Sequence, residues 1–135
     1  TKEIADEFKR VCEYSSRGSW SNSAKVAQVI LSRIYGEPGL LERVDKERAH
    51  YREMLIKRGR AFEEEAKKVG LKIVPFDAGF FISIPCSDPD AISAKLEKEG
   101  VFIVPLAKGL RVSVASISEE KCRKLPAVIK AAMEE

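Results

Sequence analysis

The sequence is poor in the residues from which most enzymes assemble a reactive site. It has one histidine, His50, and three cysteines, Cys12, Cys86 and Cys122, set far apart. A zinc site asks for clustered Cys and His, so no metal centre is expected. Scattered thiols in odd number read as reduced, which places the chain in the cytoplasm. His50 reads as a surface or helix-packing residue, because no Gly-x-Ser-x-Gly elbow, phosphate-cradling glycine loop or identifiable nucleophile accompanies it. No apolar run approaches the roughly 20 residues of a membrane-spanning helix, and no signal or lipidation motif is visible. Charge of one sign is missing too. The 24 Lys and Arg are interleaved with 21 Asp and Glu for a net +3, as from Glu42 to Arg60. Such mixing makes a solvated face, and the aromatics sit at core-like spacings, so neither nucleic acid nor membrane is an expected partner.

What is present is an ordinary soluble domain of 135 residues, 44% apolar and 33% charged. It opens at Thr1 without methionine, inside an amphipathic stretch, which suggests a processed or excised piece. Ile4, Phe8, Val11 and Cys12 predict a helix over Lys2 to Tyr14. The polar stretch Ser15 to Asn22 reads as a loop, with Ser21, Asn22 or Ser23 capping a second helix that carries Val26, Val29, Ile30 and Ile34. Gly36-Glu37-Pro38-Gly39 breaks it. From Leu40 to Val69 one apolar face recurs, through Leu41, Val44, Tyr51, Leu55, Phe62 and Ala66, and predicts a long helix closed by Gly70. Gly59 inside it should weaken it by about 1 kcal/mol relative to Ala. Phe8, Tyr51 and Phe62 are expected on an apolar surface awaiting a partner.

After Gly70 the period becomes extended. Leu71 to Pro75 and Phe80 to Ile84 predict a hairpin across Phe76 to Gly79. Ser87-Asp88-Pro89-Asp90 opens a helix, with Ser87 and Asp90 as a capping box, and Gly100 ends it. Val101 to Pro105 and Leu110 to Ala115 follow as two more strands. Ser118 then caps a terminal helix carrying Cys122, Leu125, Ile129 and Met133, in which Pro126 should mark a kink or an early turn. The order predicts an α+β fold with four short, mainly antiparallel strands packed against helices, and one long helix.

Two arginines stand in unusual company. Alternation in Leu110-Arg111-Val112-Ser113-Val114-Ala115 puts Leu110, Val112 and Val114 on one face and Arg111 with Ser113 on the other. Arg111 is either a solvated sheet residue or a guanidinium that grips a carboxylate through two parallel hydrogen bonds, which lysine cannot copy. Arg17, beside Trp20 in a stretch rich in hydroxyls, is either a plain solvent-facing arginine, with Trp20 plugging the core, or part of a binding loop.

At these residues a resemblance emerges. Arg17-Gly18-Ser19-Trp20-Ser21-Asn22, read as Arg-x-x-aromatic-Ser-Asn, resembles a loop of the class I aminotransferases of the aspartate and aromatic kind. Gly79-Phe80-Phe81 is similar to a strand start of the same enzymes. Gly100 to Pro105 followed by Leu110 to Ala115 resembles their closing strand pair. The motifs occur in the family's order and cover most of the chain.

The resemblance implies that residues 1–135 form the C-terminal small domain of a homodimeric enzyme, with 1–36 connecting to a large domain that holds pyridoxal 5'-phosphate and the Schiff-base lysine. No catalytic or cofactor-binding residue is then expected in this chain, which alone should be inactive. It also implies that Arg111 binds the α-carboxylate of amino acid and 2-oxo acid substrates. Arg17 would reach into the second subunit toward a distal carboxylate, and Trp20, Asn22 and Phe81 would line or buttress the site. Gly18 and Trp20 look more like the aromatic-accepting or broad-range relatives, so the donor is aspartate-like or aromatic. The alternatives are a free-standing α+β module that binds an amino acid or a protein, and a lyase or synthase of the same pyridoxal-phosphate fold.

Overall fold

In the computed structural model, which describes residues 1–21 and 24–134, the chain divides into two units, Thr1–Glu47 and Arg48–Glu135. Among the described residues it is an α+β chain of five helices and a three-stranded antiparallel sheet.

The first unit holds α1 (Lys2–Ser19), α2 (Lys25–Gly36) and the start of α3 (Leu40–Lys68). Thr1 caps α1 by accepting the Ile4 N–H at 3.5 Å. The helix runs on through Ser15 to Ser19, where the composition predicts a loop. No proline interrupts these residues, and Gly18 merely weakens a helix that the preceding turns already support. It stops where Ser21 takes a left-handed φ of 65° and the Trp20 N–H bonds the Ser16 carbonyl at 2.9 Å. Ser21 therefore closes α1 and does not cap α2. The residue before α2 is Ala24, without a side-chain cap. Asn22 and Ser23 lie outside the described residues. Neither α1 nor α2 buries a residue, and Phe8 and Trp20 are exposed at 71% and 81%.

The second unit carries the rest of α3, β1 (Phe81–Pro85), α4 (Pro89–Lys98), β2 (Val104–Leu106), β3 (Gly109–Ser113) and α5 (Glu119–Glu134). The sheet order is β1-β3-β2. Ile82 and Ile84 from β1, Leu110 and Val112 from β3, Leu96 from α4 and Ile129 from α5 form its core together with Phe62 and Ala66 of α3. Full burial of such side chains contributes roughly 1.5–3 kcal/mol each. Phe62 is thus core and not part of an exposed face, whereas Tyr51 is exposed.

Glycine ends two helices as the sequence foretold. Gly70 (φ 65°) and Gly100 (φ 75°) sit past α3 and α4, and the next residues, Leu71 and Val101, each bond back to Ala66 and Leu96 at 2.9 Å. This double-bonded closure satisfies carbonyls that the helix leaves free. At the start of α4 the cap is Asp88, which accepts the Ala91 N–H at 3.1 Å, rather than Ser87. Pro89 then takes the first helical position, where its missing N–H is not needed. Ser118 caps α5 through the Lys121 N–H at 3.3 Å. Pro126 is buried within α5 without dividing it.

The fourth strand does not form. Leu71 is committed to closing α3, Pro75 has no N–H to give, and between them the Val74 N–H bonds the Ser83 carbonyl at 2.9 Å without a ladder. Val101 to Ile103 likewise stay outside β2, and Phe102 is 81% exposed.

Gly59 has a packing role that its helix propensity conceals. A Cβ there would overlap the Phe76 ring, which covers the core at this point. Gly59→Ala should therefore destabilise the chain by about 1–3 kcal/mol, against the roughly 1 kcal/mol gain that propensity alone gives. Urea titration of Gly59→Ala alone and with Phe76→Ala tests this; a stabilised single variant would contradict it.

Between α3 and α5, Lys57 meets Glu119 at 3.0 Å and Arg123 meets Glu64 at 3.2 Å, and within α5 Arg123 also meets Glu119 at 3.1 Å. The Lys57 and Arg123 hydrogen bonds hold the Glu119 carboxyl below the usual carboxylate range. A lowered folded pKa stabilises above the unfolded pKa and is lost as pH falls through the folded one. The stability difference between the native chain and Glu119→Gln should thus be present at neutral pH and fade in acid. A difference that is unchanged at strongly acidic pH would refute that origin.

Candidate functional site

β3 is the central strand, and its Gly109, Leu110 and Arg111 have a partner on both sides. Arg111 lies across from Ser83 of β1 and Val104 of β2, and Ser113 lies across from Phe81. Since alternate residues face alternately, the burial of Leu110 and Val112 puts Arg111, Ser113, Phe81 and Ser83 together on the opposite face.

The Arg111 guanidinium carbon stands 4.6 Å from the Phe81 ring centroid. A cation over an aromatic face is held by the ring quadrupole, by about 0.5–1 kcal/mol where exposed and more where dry. Arg111 is half-buried, and its Nε is shut off from solvent with no hydrogen-bond partner among the described residues. A buried donor without an acceptor costs roughly 1–3 kcal/mol. The ring thus fixes one face of the guanidinium while one of its donors lacks an acceptor.

Arg111 also lines a cleft of about 560 Å³ between the 100–104 segment, the end of β3 and α5. Lys121 and Lys124 stand along it with Ser113 and Ser116, over apolar Val101, Leu125 and Val128. Lys124 pairs with Glu120 at 2.6 Å and draws that carboxyl below its usual value. The cleft has the polarity for a small anion with an apolar body.

Arg17 and Trp20 belong to the other unit. Arg17 lies in the last turn of α1 and not in a loop; its Nη1 donates to the Ser21 carbonyl at 3.5 Å. Trp20, the residue that follows α1, is exposed and plugs no core. Asn22 falls outside the described residues. Of the five residues singled out, the structure therefore brings Arg111 and Phe81 into contact and leaves Arg17 and Trp20 as neighbours at a helix end. Ser83 was legible from alternation with Phe81 but was not singled out. Arg58, whose Nη1 donates to the Val114 and Ala115 carbonyls at 3.4 and 3.1 Å, carried no signal among the many charges of α3.

The model of aminotransferase classes I and II matches residues 9–129. The chain belongs to this family. A solved aminotransferase from Anaerococcus prevotii is 34% identical, with a TM-score of 0.92 over 100% of this chain and 33% of its own. A Thermus thermophilus aspartate aminotransferase variant complexed with tryptophan is 23% identical, with a TM-score of 0.67 over 88% of this chain and 32% of its own. The same organism's aspartate aminotransferase with maleate is also 23% identical, at a TM-score of 0.64 over 88% of this chain and 32% of its own. These last two show a shared fold. No match is found among curated proteins. The chain spans about a third of the length of the solved aminotransferases it resembles.

The stacked pair can be weighed directly. Phe81→Leu keeps the apolar bulk and removes the ring face, and a double-mutant cycle with Arg111→Met should show a coupling of about 0.5–1 kcal/mol in thermal or urea unfolding. Strictly additive losses would mean that the contact carries no energy.

Proposed function

We propose that this chain is the C-terminal small domain of a pyridoxal-phosphate-dependent aminotransferase, in which Arg111 binds the α-carboxylate of amino acid and 2-oxo acid substrates. The observation that carries this reading is the Arg111 Nε, buried and unpartnered beside a guanidinium already seated on Phe81. A carboxylate offers two oxygens at the spacing of a guanidinium edge, so it would accept from Nε and from one Nη in parallel. Lysine offers a single point charge and could not do the same.

The Arg111 guanidinium and the hydroxyls of Ser83 and Ser113 on this face fit the oxygens of a carboxylate, whereas the described residues lining the cleft include no acidic side chain to hold a pyridine nitrogen. Pyridoxal phosphate, when bound by the protein, supplies the electron-accepting ring for transamination. The work of this chain's residues is to hold and orient. Arg111 fixes one end of the substrate, Phe81 keeps the guanidinium from swinging, and the apolar wall of the cleft excludes water and so strengthens the ion pair. Arg17, with Trp20 and Asn22, would meet the distal side chain of a substrate held in the second subunit of a homodimer. The unburied apolar residues of α1 and α2 support residues 1–36 as the part that joins the large domain.

Cutting one member of a desolvated charge pair costs roughly 2–5 kcal/mol, or some 30-fold to several thousand-fold. In the full-length protein Arg111→Ala should lower kcat/KM by that much on every amino donor, and Arg111→Lys should recover only part. Arg17→Ala should impair aspartate or glutamate strongly and phenylalanine or tyrosine little. Steady-state kinetics with one dicarboxylic and one aromatic donor separate the two arginines. If Arg111→Lys loses less than about threefold on both, the assignment of Arg111 is wrong.

A further inference from the structure

We infer that Arg58 is a positioning residue for the carboxylate site: it ties the end of the strand that carries Arg111 to the long helix. This rests on the reading of Arg111 given above.

Among the described residues Arg58 makes no ion pair, although acidic side chains are plentiful along α3. Its half-buried guanidinium instead spans two successive carbonyls, those of Val114 and Ala115, at 3.4 and 3.1 Å. These lie three and four residues beyond Arg111, just where β3 has ended and its ladder no longer holds the chain. Two other bonds secure the same turn: the Val114 N–H to the Phe80 carbonyl at 2.9 Å, and the Ser116 hydroxyl to the Ser113 carbonyl at 3.1 Å. Both of those keep the turn attached to the sheet; Arg58 attaches it to α3. The next residue on the helix is Gly59, where the Phe76 ring comes too close for any Cβ. Arg58 and Gly59 therefore set β3's end and the 71–80 segment against the same turn of one helix. Phe80, whose carbonyl receives Val114, adjoins Phe81, on which Arg111 is stacked. Releasing the turn would loosen both the strand under Arg111 and the ring beneath it.

The test uses the full-length enzyme, with Arg58→Met and Arg58→Lys made in the native and Arg111→Met backgrounds. Angstrom-scale misplacement of a binding group can cost up to about a hundredfold, so Arg58→Met should raise KM for the amino donor by about tenfold while kcat changes less. Arg58→Lys, which still reaches one carbonyl, should recover part. In the Arg111→Met background, Arg58→Met should add little, because the group it positions is gone. Arg123→Met, which cuts a surface pair between α3 and α5, should leave KM unchanged. An unaltered KM in Arg58→Met, or the same loss in both backgrounds, would overturn the proposal. If Arg58→Met does not fold, the KM of Arg58→Lys and its dependence on background decide in the same way. Should Arg111→Met itself have no effect on KM, it is the carboxylate assignment that fails, and the two failures are distinguishable.

Discussion

Burying Leu110 and Val112 beneath the sheet settles where Arg111 must point. A strand has only two faces, and a one-residue slip would drive the guanidinium into the core and expose both aliphatic side chains. The register is held from both sides, with Ser83 and Val104 opposite Arg111. Close approach of the strands adds a further lock at Gly109, where any Cβ would overlap the Ile84 carbonyl. Phe81 meets the guanidinium because the same pleat puts the two on one face. The site is thus a by-product of how this small sheet packs, and every residue that fixes β3 bears on it.

Some backbone needs were legible in the sequence and others, such as the caps of α2 and α4, were not. Gly70 and Gly100 close helices because the chain there takes positive φ, and Ser118 caps α5 with its hydroxyl. The face of Arg111 followed from alternation alone. The stretch from Leu71 to Pro75 misled because its β-prone residues and period suggest pairing, whereas pairing needs free N–H groups and a partner in register. Leu71 spends its N–H on α3 and Pro75 has none. The helix through Arg17 was hidden for the converse reason: serines and a glycine favour loops only when no helix is already running into them. Long-range contacts were beyond reach. Nothing local marks Arg58 as the donor to Val114 and Ala115, or Gly59 as the seat of the Phe76 ring.

The two units differ in kind. Arg48–Glu135 surrounds its own core, whereas α1 and α2 bury no residue. Amphipathic helices gain most of their stability from packing one face, and the apolar faces of α1 and α2 are uncovered among the described residues. The chain spans about a third of the length of its solved relatives. The two arginines differ accordingly: Arg111 lies on a strand whose other face is buried, and Arg17 lies in the last turn of a helix that buries no residue.

In the role proposed for it, Arg111 receives a carboxylate through Nε and Nη while seated on Phe81. A crystal structure of the full-length protein with a bound dicarboxylate inhibitor such as maleate tests it most directly. Two parallel N–H···O contacts of about 2.7–2.9 Å are expected from Arg111 to one carboxylate, with the Phe81 ring still beneath the guanidinium. A carboxylate held by other residues, with Arg111 turned to solvent, would contradict it.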